Sequence, residues 1–328
     1  MEAAADGGFF RGWSFLGCLA AERFRAPVLL SVRQDGADLA LGLLNRARGR
    51  LYLGRTGDED LDRVFVEHNG LLIRCGADTV LVPALRVLAE RGPVVLAGID
   101  DGHLAAARQA GLVDVRTSEF APALDLRTLP VPYLAALSAN ARSQIGRAMR
   151  RYGATLALDR AGDAAQALEW FAALVRLHQA QWSGRGQKGA FAHPAVLDFH
   201  TALIRDAVPR GEVDLLRATA AGADVGYLYN FRHGGRVFGY QSGFVAETDA
   251  RLKPGLVCHT LAVESYRAEG VATYDLLAKA ARYKSTLVPQ GGQMLHWATL
   301  YEAGSWLGRG RILARSGRDW LKARGFAP

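Results

Sequence analysis

Cysteine is scarce in this chain, long apolar runs are missing, and no spacing of histidines and carboxylates suits a metal ion. The three cysteines, Cys18, Cys75 and Cys258, are far apart and odd in number. That argues against a disulfide framework and for a reducing compartment. Cys258 lies in a helical stretch and reads as a small buried residue. No uninterrupted apolar stretch approaches the length that crosses a bilayer. Residues Met1 to Trp13 carry Glu2 and Asp6 before any apolar run, unlike the cationic start of a signal peptide. A cytoplasmic protein without a transmembrane segment is the expectation. His193, His200, His233 and His259 follow no ligand pattern such as His-Glu-x-x-His, so no metal is expected. No RRM or KH signature is present.

Positive charge is plentiful. Lys and Arg number 40 against 32 Asp and Glu, which gives a net charge of +8 and a pI near 9.6. Such an excess favours anionic partners: a nucleotide cofactor, tRNA or membrane headgroups. With 50% hydrophobic and 22% charged residues the composition is that of a globular protein. A length of 328 residues exceeds what one core usually serves, so two domains are expected.

The first half alternates strand-like and helical stretches. Val28 to Val32 and Leu39 to Leu44 flank a turn at Gln34-Asp35-Gly36, and Arg50 to Leu53 extends again. Leu61 to Phe65 starts a helix, Thr79 to Glu90 makes a better one, and Pro93 to Ala97 is a strand. Gly102 to Ala110 closes with Gly111 at a helix C-cap position, before an extended Val113 to Thr117. His68, Asn69, Asp100 and Asp101 form no grouping of base, nucleophile and orienting residue, and read as turn or cap residues. The prolines of Thr128-Leu129-Pro130-Val131-Pro132 mark a boundary. Ser138 then caps a helix bearing Arg142, Arg147, Arg150 and Arg151, which is either a solvated face or a phosphate-binding one.

From Val213 to Lys284 the pattern is a meander followed by a helix. Val213 to Thr219, Val225 to Phe231 and Arg236 to Val245 are strands, separated by turn chemistry at Ala221-Gly222-Ala223-Asp224 and His233-Gly234-Gly235. Arg251-Leu252-Lys253-Pro254-Gly255 then leads into an amphipathic helix, Leu256 to Glu269. Two cations and a glycine at a strand-to-helix turn suit a phosphate, because the first N–H groups of a helix are partly positive. A surface turn with two solvated cations fits the same residues.

The order Gly-Tyr-Gln-Ser-Gly-Phe (239–244), Lys-Pro-Gly-Leu (253–256), Tyr-Asp-Leu-Leu (274–277) and Tyr283-Lys284 resembles the CelD-type, cellulose-biosynthesis-like branch of the GNAT acyltransferase superfamily. Leu177 to Trp182, Gly189-Ala190-Phe191 and Phe199-His200 resemble its region before the sheet. The resemblance covers about residues 130 to 300 well and 25 to 125 more faintly. It implies an α/β (α+β) fold of two GNAT-like domains, each a mixed, mostly antiparallel sheet flanked by helices. Residues 1–129 would be a degenerate N-terminal domain, 130–152 a linker with a basic helix, and 153–328 the acyltransferase domain. Two departures stand out. Pro254 and Leu256 occupy glycine positions of the usual pyrophosphate loop, and proline has no N–H to offer. Lys279 replaces a glycine, with Ala280 and Ala281 where acidic residues are frequent.

The reaction so implied is direct transfer of an acyl group from acyl-CoA to an amine or hydroxyl of a small or carrier-bound acceptor. By the same resemblance Tyr283 is the acid, with Tyr274 in reserve, and His178 or Asp275 the base. The strand of Tyr240 polarises the thioester carbonyl. Arg251, Lys253, Gly255, Leu256 and Lys284 hold the cofactor, and Trp182, Tyr227, Tyr229 and Gln241 meet the acceptor. A FemABX-like ligase that draws on aminoacyl-tRNA, and a non-catalytic binding module, are the alternatives.

Overall fold

The computed structural model describes residues 8–279 and 281–323. It divides into two units, residues 1–119 with 294–328, and residues 120–293. The first unit therefore takes back the C-terminal stretch that the sequence assigned to a domain 153–328. Among the described residues no helix is long and apolar enough to cross a membrane.

Unit 1 opens with α1 (Trp13–Arg23) and the hairpin β1 (Pro27–Gln34) and β2 (Ala37–Ala47). Asp35 and Gly36 both take positive φ, 49° and 79°, as a tight hairpin turn requires. Next come β3 (Arg50–Leu53), β4 (Leu72–Ile73), α2 (Leu81–Glu90), β5 (Val94–Ile99), α3 (Asp101–Ala110) and the start of β6 (Leu112–Asp125). The helix start anticipated at Leu61 is only a single 3₁₀ turn, Leu61–Arg63. β3 pairs parallel with β5; the β1–β2 and β2–β3 pairs are antiparallel. Leu44, Leu51, Leu85, Leu88, Val94, Ile99 and Leu104 form the core beneath this sheet. Gly111 follows α3 but is extended, at φ −177°, not left-handed. Glycine is required there because a Cβ would lie 2.1 Å from the Tyr301 carbonyl oxygen.

Unit 2 holds α4 (Ala139–Tyr152), β7 (Ala157–Arg160), α5 (Ala164–Ser183), α6 (Pro194–Ala207), β8 (Val213–Ala220), β9 (Ala223–His233), β10 (Arg236–Phe244), α7 (Pro254–Ala268), β11 (Thr273–Asp275) and α8 (Arg282–Leu287). β12 (Gly292–Tyr301) begins here, and α9 (Trp306–Ala323) ends the described chain in unit 1. The meander β7-β8-β9-β10 is antiparallel, β10 pairs parallel with β11, and β11 pairs antiparallel with the end of β6. A mixed, mostly antiparallel sheet flanked by helices is thus the fold, as the sequence indicated. α4, expected in a linker, packs Ala141 and Ile145 into the core of unit 2 beside Val263 and Tyr266 of α7. Its N-cap is Ser138, whose hydroxyl accepts from the Ala141 N–H at 3.3 Å.

Candidate functional site

β10 and β11 run side by side for only three residues, Arg236 to Phe238 against Thr273 to Asp275. Beyond Phe238, β10 continues to Phe244 paired with β9 alone, with a bulge between Gly239 and Gln241 that leaves Tyr240 unmatched. A bulge adds local twist and bends the strand. The two parallel strands therefore part just past Gly239. The helix α7 begins next to this opening: a Cβ on Gly255 would touch the ring of Phe244 at 3.0 Å. Lys253 caps α7 in the left-handed conformation, φ 48°, and Pro254 is its first residue. The first intrahelical bond runs from the Val257 N–H to the Lys253 carbonyl. The N–H groups of Gly255 and Leu256 precede it and have no acceptor within the helix.

The sequence-derived site residues fall on two faces of this sheet. Tyr227, Tyr229 and Phe231 alternate with Leu228 and Asn230 along β9, as the period of a strand demands. On the α5 and α6 face, Tyr229 is fully buried, its hydroxyl 3.2 Å from His200 Nδ1. Tyr240 packs in the same aromatic cluster, its ring 5.1 Å from His200 and 4.4 Å from Phe231. The Tyr227 hydroxyl donates to Asp224 at 2.7 Å, and burial followed by that carboxylate pushes its pKa up to about 12. Trp182 stands at the end of α5, 5.8 Å from the His178 ring and beneath the Arg185 guanidinium. Gln241 lies half-buried on β10, opposite Tyr229.

His178 has other work than that of a base. Its Nδ1 lies 3.0 Å from the Ser242 carbonyl, to which it donates, and its Nε2 accepts from the Ala190 N–H at 3.2 Å. Both nitrogens are thus committed to backbone, tying α5 to β10 and to the loop before α6. Burial lowers its pKa, which keeps the ring neutral.

Asp275 follows Tyr274 on β11 and so faces away from α7; it is 0% exposed, and its carboxylate accepts from the Leu277 N–H at 2.7 Å. It also meets Arg236 at 3.5 Å. It organises the turn after β11, where Leu277 and Lys279 have positive φ of 61° and 71°. Lys284, expected on a phosphate, points inward and donates to the Leu277 and Ala278 carbonyls at 2.8 and 2.6 Å. Its reach back to that turn is a tertiary contact with no sequence signature. Ala280 lies outside the described residues. Arg251 is exposed, but its guanidinium is held bidentately by Asp249, at 2.8 and 3.0 Å, and Asp249 also pairs with Arg151 of α4. Leu256 packs against the core cluster of unit 2 and Lys253 is exposed.

Tyr283 stacks on His259, ring centroids 5.2 Å apart and planes 14° apart. Burial raises the Tyr283 pKa to about 12, so the hydroxyl keeps its proton at neutral pH. His259 is the residue that sequence reasoning passed over. It stands one turn after Gly255 on α7, which was the one available signal, since residues at i and i+4 share a helix face.

Residues 139–285 match the acetyltransferase (GNAT) domain family. That stretch begins with α4 and ends just past Tyr283-Lys284. No curated protein sequence matched the chain. Among solved structures, FemX superposes with a TM-score of 0.60 at 9% identity, over 90% of this chain and 92% of that one. L-PGS from Bacillus licheniformis gives 0.58 at 12% identity, over 95% and 93%. The C-terminal domain of a putative lysylphosphatidylglycerol synthetase from Agrobacterium fabrum gives 0.57 at 8%, over 92% and 91%. At such identities the likeness is one of fold.

Proposed function

We propose that this protein is an acyltransferase that holds an acyl-CoA where β10 and β11 part and passes the acyl group to an amine or hydroxyl acceptor. The observation that carries the reading is the parting itself, beside a helix start with two unbonded N–H groups, within the stretch that matches the GNAT domain. The N–H groups of Gly255 and Leu256, with Lys253 close by, meet the donor's phosphates. The edge of β10 around Tyr240, released from β11, receives the thioester. Tyr283 is protonated at neutral pH and supplies the acid for the leaving thiolate. Trp182 and Gln241, both half-buried, belong to the acceptor side, while Tyr227 and Tyr229 are buried behind them. Neither His178 nor Asp275 is retained as base, because hydrogen bonds within the fold already engage both.

Calorimetric titration of acetyl-CoA, followed by thiol release in the presence of a panel of amines, tests this reading. Saturable binding with amine-dependent thiol release supports it; absence of binding refutes it. A second reading, an aminoacyl-tRNA donor, is favoured by one feature: Pro254 offers no N–H and Arg251 is taken by Asp249, which leaves fewer groups for a pyrophosphate. Transfer from charged tRNA without transfer from acetyl-CoA would select it.

A further inference from the structure

His259 is only 3% exposed, and the reaction as drawn so far does not use it. Its Nδ1 lies 2.9 Å from the Tyr274 hydroxyl, its face is covered by Tyr283, and the Phe244 ring stands 6.1 Å away. Phe244 also lies against Gly255, so the histidine sits between the start of α7 and the sheet. Tyr274 is the link to the parted strands, since its hydroxyl lies 3.3 Å from where a Gly239 Cβ would be. Nε2 of His259 is buried and, among the described residues, has no hydrogen-bond partner. Buried polar atoms are nearly always paired, and the exceptions cluster where a ligand or a reaction needs them.

A network of buried hydrogen bonds stands on the same side of the sheet as His259. The Asp214 carboxylate accepts from the Tyr266 hydroxyl at 2.9 Å and from Arg232 at 3.2 Å. With its proton so committed, the Tyr266 oxygen accepts from the Asn230 amide at 2.9 Å. The Tyr274 hydroxyl lies 2.9 Å from His259 Nδ1, and when it donates there the imidazole hydrogen sits on Nε2. Full burial, aided by the nearby Lys284 charge, lowers the His259 pKa to about 3, so the ring is neutral.

We propose that the Nε2–H of His259 is the hydrogen-bond donor that receives the carbonyl oxygen of the acyl donor, beside the Tyr283 ring stacked on its face. This rests on the acyltransferase reading. As the acceptor nitrogen bonds to the carbonyl carbon, the π pair moves to oxygen and is held by Nε2–H. The pair then returns, the C–S bond breaks, and the sulfur keeps its electrons. The leaving sulfur takes its proton from the Tyr283 hydroxyl, and the proton lost by the amine restores that hydroxyl through solvent, giving amide and free thiol. A neutral imidazole suits this role because it donates without placing a cation in an apolar surround.

The test combines nitrogen NMR of His259 with kinetics of His259→Phe and His259→Gln. A protonated Nε2 at neutral pH, shifted when acetyl-CoA is added, is expected. His259→Phe should lower kcat for acetyl-CoA by about 100- to 1,000-fold. Affinity for desulfo-CoA, which lacks the thioester, should stay within about threefold. His259→Gln, which keeps an N–H, should recover part of the rate and guards against a misfolded phenylalanine variant. An unprotonated Nε2, or variants of native fold with wild-type kcat, would overturn the assignment. A wild-type protein inert toward acetyl-CoA would instead refute the acyl-CoA reading, and the protonation of Nε2 would still decide His259.

Discussion

Lowering the pH should unfold unit 2 through His259, by an amount the burial of this side chain sets. The histidine pKa is depressed in the folded protein, from about 6.5 to about 3. Its contribution is therefore intact above 6.5 and is lost as pH falls toward 3, because the unfolded chain takes up a proton that the folded one refuses. Each pH unit in that window is worth about 1.4 kcal/mol. At about pH 4.5, two units below the unfolded value, the loss comes to about 3 kcal/mol, a large fraction of an ordinary domain's stability. His178 is shifted in the same direction by burial and adds to the loss. His259→Phe removes one of the two. The assay is urea unfolding of both proteins at about pH 7 and pH 4.5, comparing the difference between the two pH values. That difference should be smaller in the variant by about 3 kcal/mol. Equal differences within about 0.5 kcal/mol would refute the reasoning, whatever the variant does to stability at neutral pH.

Other substitutions probe the rest of unit 2. Gly243→Ala would set a Cβ 2.4 Å from the Leu174 carbonyl oxygen, so α5 must shift from β10; urea unfolding should show a loss of about 1–3 kcal/mol. Lys284→Met leaves two buried carbonyls unsatisfied and should cost about 2–4 kcal/mol by the same measurement. Lys253→Ala should weaken acetyl-CoA binding by about 5- to 20-fold at low salt, and less at high salt. Arg251→Ala should weaken it less, since Asp249 already holds that guanidinium; calorimetry at two ionic strengths separates the pair. Tyr283→Phe should keep donor affinity and lower turnover by about 10- to 100-fold. A wild-type rate with a lowered melting temperature would take Tyr283 out of the mechanism.

What the sequence determined by itself is local. Asp35-Gly36, Gly222 and Gly234-Gly235 set hairpins because glycine, and to a lesser degree aspartate, tolerates the positive φ that the turns need. Ser138 and the Pro-Gly pair mark helix starts for equally local reasons, and the alternation of β9 is visible in its side chains. Contacts that join distant stretches were out of reach. Nothing in residues 294–301 says that they pair with β5 in unit 1, since any apolar strand satisfies the same pattern. Tyr227 and Tyr229 read as surface for a substrate, but both are buried. Lys284 read as a phosphate ligand, but the turn after β11 turns it inward. His259 read as one more helical histidine. Only folding brings Tyr274 to its Nδ1 and strips every partner from its Nε2 among the described residues, because hydrogen-bond satisfaction depends on neighbours that sequence separation conceals.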